Sequence, residues 1–232
     1  VVDDYDMNIS DIIRGDDHLT NAAKQKLIYD SLKWDCPTFS HIPLIHGQDG
    51  SKLSKRHGSL GIEYYKEEGY LPEAIINYLL RLGWSHGDQE IFSLEEMINY
   101  FSIEKIRKSP SKFDIEKLND INSIYLKNSS FESLITRIDS SYINLNKDII
   151  KSISIVMPEV LKRCKNIKDI KKNISFITDK RPIKIDEDVT NLINHESISS
   201  LEKISKILKK LDKWDANEIE QTIKKFLKDE EL

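Results

Sequence analysis

The stretch Gly50-Ser51-Lys52-Leu53-Ser54-Lys55-Arg56-His57-Gly58 divides the chain into two parts that follow different rules. Before it, short apolar runs such as Ile12-Ile13 and Ile42-Pro43-Leu44-Ile45 are separated by polar turns, which is strand-like punctuation. After it, apolar residues recur at helical spacing, joined by short connections. Such a chain folds neither as one sheet nor as one bundle. The expectation is α/β at the start and all-α beyond. The stretch itself carries three cations from Lys52 to Arg56, with the hydroxyls of Ser51 and Ser54 beside them. Asp49-Gly50 is a turn signal, and Gly58 can take positive φ, so the cations are expected on a loop and not along a helix face. A loop of that composition suits polyphosphate: Lys55 can act as a point charge on phosphoryl oxygens, while backbone N–H groups and hydroxyls add hydrogen bonds. The same composition also describes a solvated basic loop with no ligand.

At 232 residues the chain can hold one or two domains with cores of their own. No apolar run approaches the roughly 20 residues that cross a bilayer, so no membrane partner is expected. The start, Val1-Val2-Asp3-Asp4, has neither a basic region nor an apolar signal segment, and it lacks an initiator Met. It reads as the opening of a fragment. Cys36 and Cys164 belong to no CxxC or Cys/His cluster and are expected as reduced thiols of a cytoplasmic protein. None of the six histidines forms an HxxxH or HxH pair, so no metal site is expected. The net charge of −4 is unevenly spread. Residues 1–146 carry 16 basic against 23 acidic side chains, residues 147–213 carry 16 against 10, and the last nineteen carry 3 against 6. A basic segment in an acidic chain is compatible with a nucleic-acid-facing surface, and equally with solvated lysine-rich helices.

In order, Val1–Asp4 and Ile12-Ile13 read as two short, largely buried strands around a turn at 7–11. Arg14-Gly15-Asp16-Asp17-His18 follows, and Thr20 is placed to cap a helix ending near Leu32, with Ala23, Leu27 and Ile28 turned inward. In open α/β sheets, ligands bind just beyond the carboxyl ends of strands, where Arg14–His18 would fall. Arg14 can grip a carboxylate, and Asp17 can accept hydrogen bonds from a ribose or an ammonium. Alternatively, Arg14 and Asp16 or Asp17 pair with each other at the surface. Pro43 confines the run 37–45 to an edge strand or strand end. Leu44 and Ile45 are read there either as the wall of an adenine pocket or as core. Pro72 opens a helix that Gly83 stops, Ser93-Leu94-Glu95-Glu96 is a capping box, and a third helix runs from Phe113 to about Leu126. Trp84 is expected to pack between helices. Beyond Ser129 the best-defined helices are 149–165, 198–211 and 216–228, with Arg181-Pro182 and His195 in breaks.

Three blocks, "VVDDYDMNISDIIRGDDHLTN", "FSHIPLIHGQDGSKLSKRHG" and "GYLPEAIINYLLRLGWSHGDQEIFSLEEMI", together resemble consecutive segments of a bacterial glutamyl-tRNA synthetase, a class I aminoacyl-tRNA synthetase. The resemblance runs in register from Val1 to about Leu126 and thins beyond Asn128. It implies that residues 1–60 are the second half of a Rossmann-like nucleotide-binding domain. Residues 61–127 would then be a helical stem-contact region, and 128–232 an incomplete helical anticodon-binding domain. It further implies that Lys52-Leu53-Ser54-Lys55-Arg56 is the family's "KMSKS" loop, with Lys52 and Lys55 catalytic, and with Ser54 and Arg56 also on ATP. Arg14 matches the family's glutamate-binding arginine, Asp17 and His18 match positions near the ATP ribose and adenine, and Ile45 matches the adenine wall. ATP with Mg²⁺, L-glutamate and tRNA(Glu) are the implied substrates, with tRNA(Gln) a second candidate acceptor and a monomer the expected state. The family's N-terminal "HIGH"-type motif does not occur, so the chain is expected to carry half an active site and to be inactive alone. Two relatives compete with this reading: a paralogue that glutamylates a modified tRNA base but lacks the helical anticodon domain, and glutaminyl-tRNA synthetase, whose anticodon domain is a β-barrel. A non-catalytic tRNA-binding module is the alternative from another class.

Overall fold

The computed structural model describes residues 1–53, 61–139, 145–180, 182 and 193–230. Two compact units emerge, Val1–Thr178 and Asp179–Leu232.

The first unit opens with a short helix α1 (Val2–Asp6), not the expected strand. Asp3 and Asp4 occupy its first turn, where carboxylates suit the helix dipole, and Tyr5 stacks flat on Trp34 at 4.0 Å between ring centroids. Local bonds such as Tyr5 N–H to the Val1 carbonyl pair the backbone, so no partner strand is needed. Strand β1 (Asp11–Gly15) leads through a 3₁₀ turn (Asp16–His18) into α2 (Leu19–Leu32), and β2 (Thr38–Ile42) returns parallel to β1. This is the expected strand–turn–helix, closed into a βαβ unit. Ile13 in β1 is 55% exposed, so the strand is less buried than its sequence suggests.

Two details of α2 differ from expectation. Thr20 lies inside the first turn, because the 3₁₀ turn feeds directly into the helix and Leu19 already has helical angles. The inward residues are Ala22, Gln25 and Tyr29, whereas Ala23, Leu27 and Ile28 are exposed. Apolar residues lie all round this helix, so periodicity alone selects no face.

Strand β3 (Ile45–His46) pairs parallel with β4 (Ser111–Lys112), and Pro43 falls between β2 and β3 as a strand-end proline. From β3 the chain turns back on itself. Gly50 takes φ +81°, Ser51 N–H bonds the Asp49 carboxylate, and Lys52 bridges antiparallel to His46. The Ser54–Leu60 segment lies outside the described residues.

Helices α3 (Ile62–Glu67), α4 (Pro72–Gly83), α5 (Leu94–Tyr100) and α6 (Ile115–Asn128) follow. Pro72 sits at the start of α4, Ser93 and Glu96 form the capping box of α5, and Asp114 caps α6 through the N–H groups of Glu116 and Lys117. Trp84 is buried against Phe92 and Phe101, between helices as expected. The core is completed by α7 (Phe131–Asp139), α8 (Lys147–Leu161) and α9 (Ile167–Thr178). In α9, Ile167, Ile170 and Ile174 make one buried stripe at helical spacing. Cys36 is exposed, and burial pushes the Cys164 thiol up to about 11, the behaviour of a packing residue and not of a nucleophile.

Two buried asparagines hold this core in register. Asn77 accepts from the Phe92 N–H and donates to the Glu90 carbonyl, tying α4 to the loop before α5. Asn122 accepts from the Leu71 N–H at 2.8 Å and donates to the Lys165 carbonyl, tying α6 to the start of α4 and to the connection between α8 and α9. Nearby, Ile167 N–H bonds the Gly69 carbonyl, and a Cβ on Gly69 would lie 3.0 Å from the Ile167 nitrogen.

In the second unit, α10 (His195–Leu208) and α11 (Ala216–Asp229) pack on each other around Phe226. His195 is the first residue of α10, with Asn194 as its cap, so it lies in a helix and not in a break. The Asn194 side chain accepts from the Ser197 N–H, which lets the helix begin three residues before Ile198, its first apolar position. Arg181 lies outside the described residues.

Asn122→Ala strands two buried backbone groups, at about 1–3 kcal/mol each. Urea unfolding of this chain is expected to show a loss of about 2–6 kcal/mol. A loss under about 0.5 kcal/mol, the size of a neutral surface change, would contradict this account of the junction.

Candidate functional site

The βαβ unit brings Arg14, Asp17 and His18 to the carboxyl end of β1, beside β2 and the β3 hairpin. Arg14 is the register partner of His41 across the parallel pair. Its Nε donates to His41 Nε2 at 3.3 Å, and its guanidinium carbon stands 5.1 Å from the centroid of the Phe39 ring. Phe39 and His41 are two residues apart on β2 and so share a face. Arg14 Nη2 is buried and meets no hydrogen-bond partner among the described residues. A buried, unpaired guanidinium N–H is costly unless an anion completes it. The alternative of a surface pair between Arg14 and its neighbouring aspartates is not what forms. Arg14 turns to His41, and Asp17 turns elsewhere.

Asp17 receives a hydrogen bond from Lys52 Nζ at 2.6 Å. The acid after β1 is therefore joined to the first lysine of the basic stretch, 35 residues on. Gly15 makes the close approach possible: a Cβ there would lie 2.6 Å from Asp17 Oδ1 and 3.0 Å from Leu44 Cδ2. His18 is half exposed, with Nε2 3.9 Å from Asp17 Oδ1 and Nδ1 3.3 Å from Asn21 Nδ2. Ile45 is half-buried in β3 and packs against the helical core, while its neighbour Leu44 faces Gly15. Ser54, Lys55 and Arg56 lie outside the described residues. No group of three His, Cys, Asp or Glu side chains suited to a metal ion occurs among the described residues. No helix among them is long and apolar enough to cross a membrane.

Chemically, the cluster presents one cation with a free, buried donor and one carboxylate paired to a movable ammonium. The first fits a small carboxylate ligand, and the second can exchange its partners for hydroxyls and phosphate. His41 and Phe39, which hold Arg14, are candidate site residues that the sequence reading missed. The signal was the two-residue alternation of Phe39 and His41 on a strand whose end Pro43 marks.

Comparison with known proteins matches residues 1–120 to "tRNA synthetases class I (E and Q), catalytic domain" and residues 116–232 to "Anticodon binding domain". Glutamate–tRNA ligase 2 of Parvibaculum lavamentivorans is 44% identical over 100% of this chain and 48% of its own length. Glutamate–tRNA ligase 1 of Bartonella henselae is 40% identical over 100% of this chain and 50% of its own. The crystal structure of a glutamate tRNA ligase from Elizabethkingia meningosepticum, in complex with its amino acid, superposes with a TM-score of 0.69 at 29% identity. It too is covered over 50% of its length, with all of this chain aligned. The chain thus spans about half the length of the relatives it matches.

The Lys52 hydrogen bond, opposed by desolvation and helped by the Lys52 charge, holds the Asp17 carboxyl below its ordinary value of 3.8. Because the value is depressed on folding, the contribution of this pair is present above pH 3.8 and is lost as pH falls through the folded-state value. Carboxyl-carbon NMR of the chain is expected to give Asp17 a midpoint below 3.8, moving up in Lys52→Met. Identical midpoints in the two proteins would show that the pair does not form in solution.

Proposed function

The chain belongs to the class I tRNA synthetases of the E and Q type, and on that premise we propose that it is the part of a glutamate–tRNA ligase that holds glutamate and the ATP phosphates. The proposed reaction of the full-length gene product activates glutamate with ATP to glutamyl-adenylate, releasing pyrophosphate. The glutamyl group then passes to the terminal adenosine of tRNA(Glu), with tRNA(Gln) a second acceptor to test. The observation that carries this reading is the buried, unpartnered Nη2 of Arg14 beside the Asp17–Lys52 pair. A dedicated carboxylate receptor adjoins a group that can take a ribose and a group that can take phosphate.

In this reading, Arg14 binds a glutamate carboxylate. Asp17 accepts from the ATP ribose, and His18 and Ile45, with Leu44 beside it, flank the adenine. Lys52 leaves Asp17 for the phosphates when ATP arrives. Lys55 stabilises the charge that develops there, assisted by Ser54 and Arg56. Little of this is covalent work for the protein; positioning and preorganised charge carry the rate. Mg²⁺ enters with ATP as part of the substrate. Residues 1–60 are assigned to the nucleotide-binding domain, 61–127 to contact with the tRNA stem and 128–232 to anticodon binding. A monomeric, cytoplasmic enzyme completes the proposal. The match of 116–232 to an anticodon-binding domain weighs against the paralogue that glutamylates a modified base and lacks that domain.

Glutamate-dependent ATP–pyrophosphate exchange, with tRNA present, tests the assignment on the full-length gene product. Lys55→Ala is expected to slow exchange by about 100-fold or more at nearly unchanged glutamate affinity. Arg14→Ala is expected to raise the KM for glutamate by about 10- to 100-fold, the cost of one charged hydrogen-bonded contact. Normal exchange in Lys55→Ala would remove the role given to that lysine. Retained tRNA binding by a wild-type protein with no exchange activity would favour the non-catalytic module instead.

A further inference from the structure

Arg14 does not reach its position unaided, and what holds it leaves its charge unspent. Two side chains of one strand face grip the guanidinium: His41 by accepting from Nε, and Phe39 through its ring. Both come from β2, and the parallel register Arg14↔His41 fixes the pairing through backbone bonds. With Nε occupied, the guanidinium plane can no longer rotate freely, and Nη2 is directed into a buried space without a partner. The nature of the His41 contact matters as much as its place. For Nε2 to accept, the imidazole must be neutral with its proton on Nδ1. A carboxylate in that position would hold Arg14 more strongly, but it would also neutralise it and compete with an incoming anion. A neutral acceptor orients the cation while its full charge stays available to the ligand.

We propose that His41 is a positioning residue for glutamate: as a neutral acceptor backed by Phe39, it aims Arg14 Nη2 at the ligand carboxylate without neutralising the arginine. This inference rests on the assignment of Arg14 to glutamate, and the two fail in different ways. It makes the residue at 41 a determinant of affinity for the amino acid and leaves ATP handling to Asp17, Lys52 and the basic stretch.

The test compares His41→Leu, His41→Gln and His41→Glu with Arg14→Ala in the full-length gene product, by pyrophosphate exchange with glutamate and ATP varied separately. His41→Leu removes the acceptor and is expected to raise the KM for glutamate about tenfold, with kcat and the KM for ATP within about twofold of wild type. His41→Gln keeps an acceptor near the Nε2 position and is expected to recover most of that loss. His41→Glu is expected to be worse than His41→Leu, since it neutralises Arg14. Three results would overturn the inference: an unchanged glutamate KM in His41→Leu while Arg14→Ala raises it, equal impairment of His41→Leu and His41→Gln, or parallel rises in the KM for glutamate and for ATP. The last two mark His41 as merely structural. An unchanged glutamate KM in Arg14→Ala would instead remove the assignment beneath it.

Discussion

The short parallel pairing of β3 with β4 decides how the rest of the first unit is arranged. Only Ile45 and His46 pair with Ser111 and Lys112, but the contact is reinforced on both sides. The Phe113 N–H bonds the His46 carbonyl, Gln48 donates to the Phe113 carbonyl, and the Asp114 N–H bonds the Tyr78 hydroxyl inside the helical core. Through these bonds the hairpin that carries Lys52 is anchored to α4 and α6. The phosphate side of the proposed site is thereby attached to the largest apolar core of the unit. The glutamate side depends on the two-stranded β1–β2 sheet.

The two halves also differ in how they are stabilised. Among the helices, fully buried Leu and Ile side chains and two satisfied asparagines define a unique packing. Each half-satisfied alternative would leave a backbone group unpaired in a dry interior, which is why Asn77 and Asn122 specify register and do not merely fill space. In the βαβ unit, by contrast, Ile13, Leu19, Leu27 and Leu32 remain well exposed. Its order comes from backbone pairing, the Tyr5–Trp34 stack and the grip on Arg14, not from a deep core of its own.

Much of the helical fold was legible because its signals are local. Pro72 suits a first helical turn because it has no N–H to leave unpaired, and Ser93 with Glu96 marks a helix start by satisfying N–H groups within its own turn; the structure uses both. The misreadings fall where local signals compete with tertiary ones. Val1–Asp4 has strand-like residues but finds helical bonds first, and α2 carries apolar residues on every side, so its buried face follows from what the strands leave uncovered. At the site, the residue types at Arg14 and Asp17 allowed either a ligand or a surface pair, and neither reading named the partners that form. Lys52 lies 35 residues from Asp17, and His41 reaches Arg14 only through parallel register, which no spacing rule reveals. The contact of Lys52 with Asp17 was therefore not legible in the sequence.

The electrostatic logic follows from these placements. Arg14 meets an imidazole and no carboxylate, whereas Lys52 and Asp17 pair with each other. One position is poised to bind and the other to switch. The most direct test of this arrangement is a crystal structure of the full-length gene product with L-glutamate and a non-hydrolysable ATP analogue. The account predicts a glutamate carboxylate on Arg14 Nη2, the Arg14–His41 contact retained, and Lys52 moved from Asp17 to a phosphate oxygen. Glutamate bound away from Arg14, or Lys52 still on Asp17 with the nucleotide in place, would contradict it.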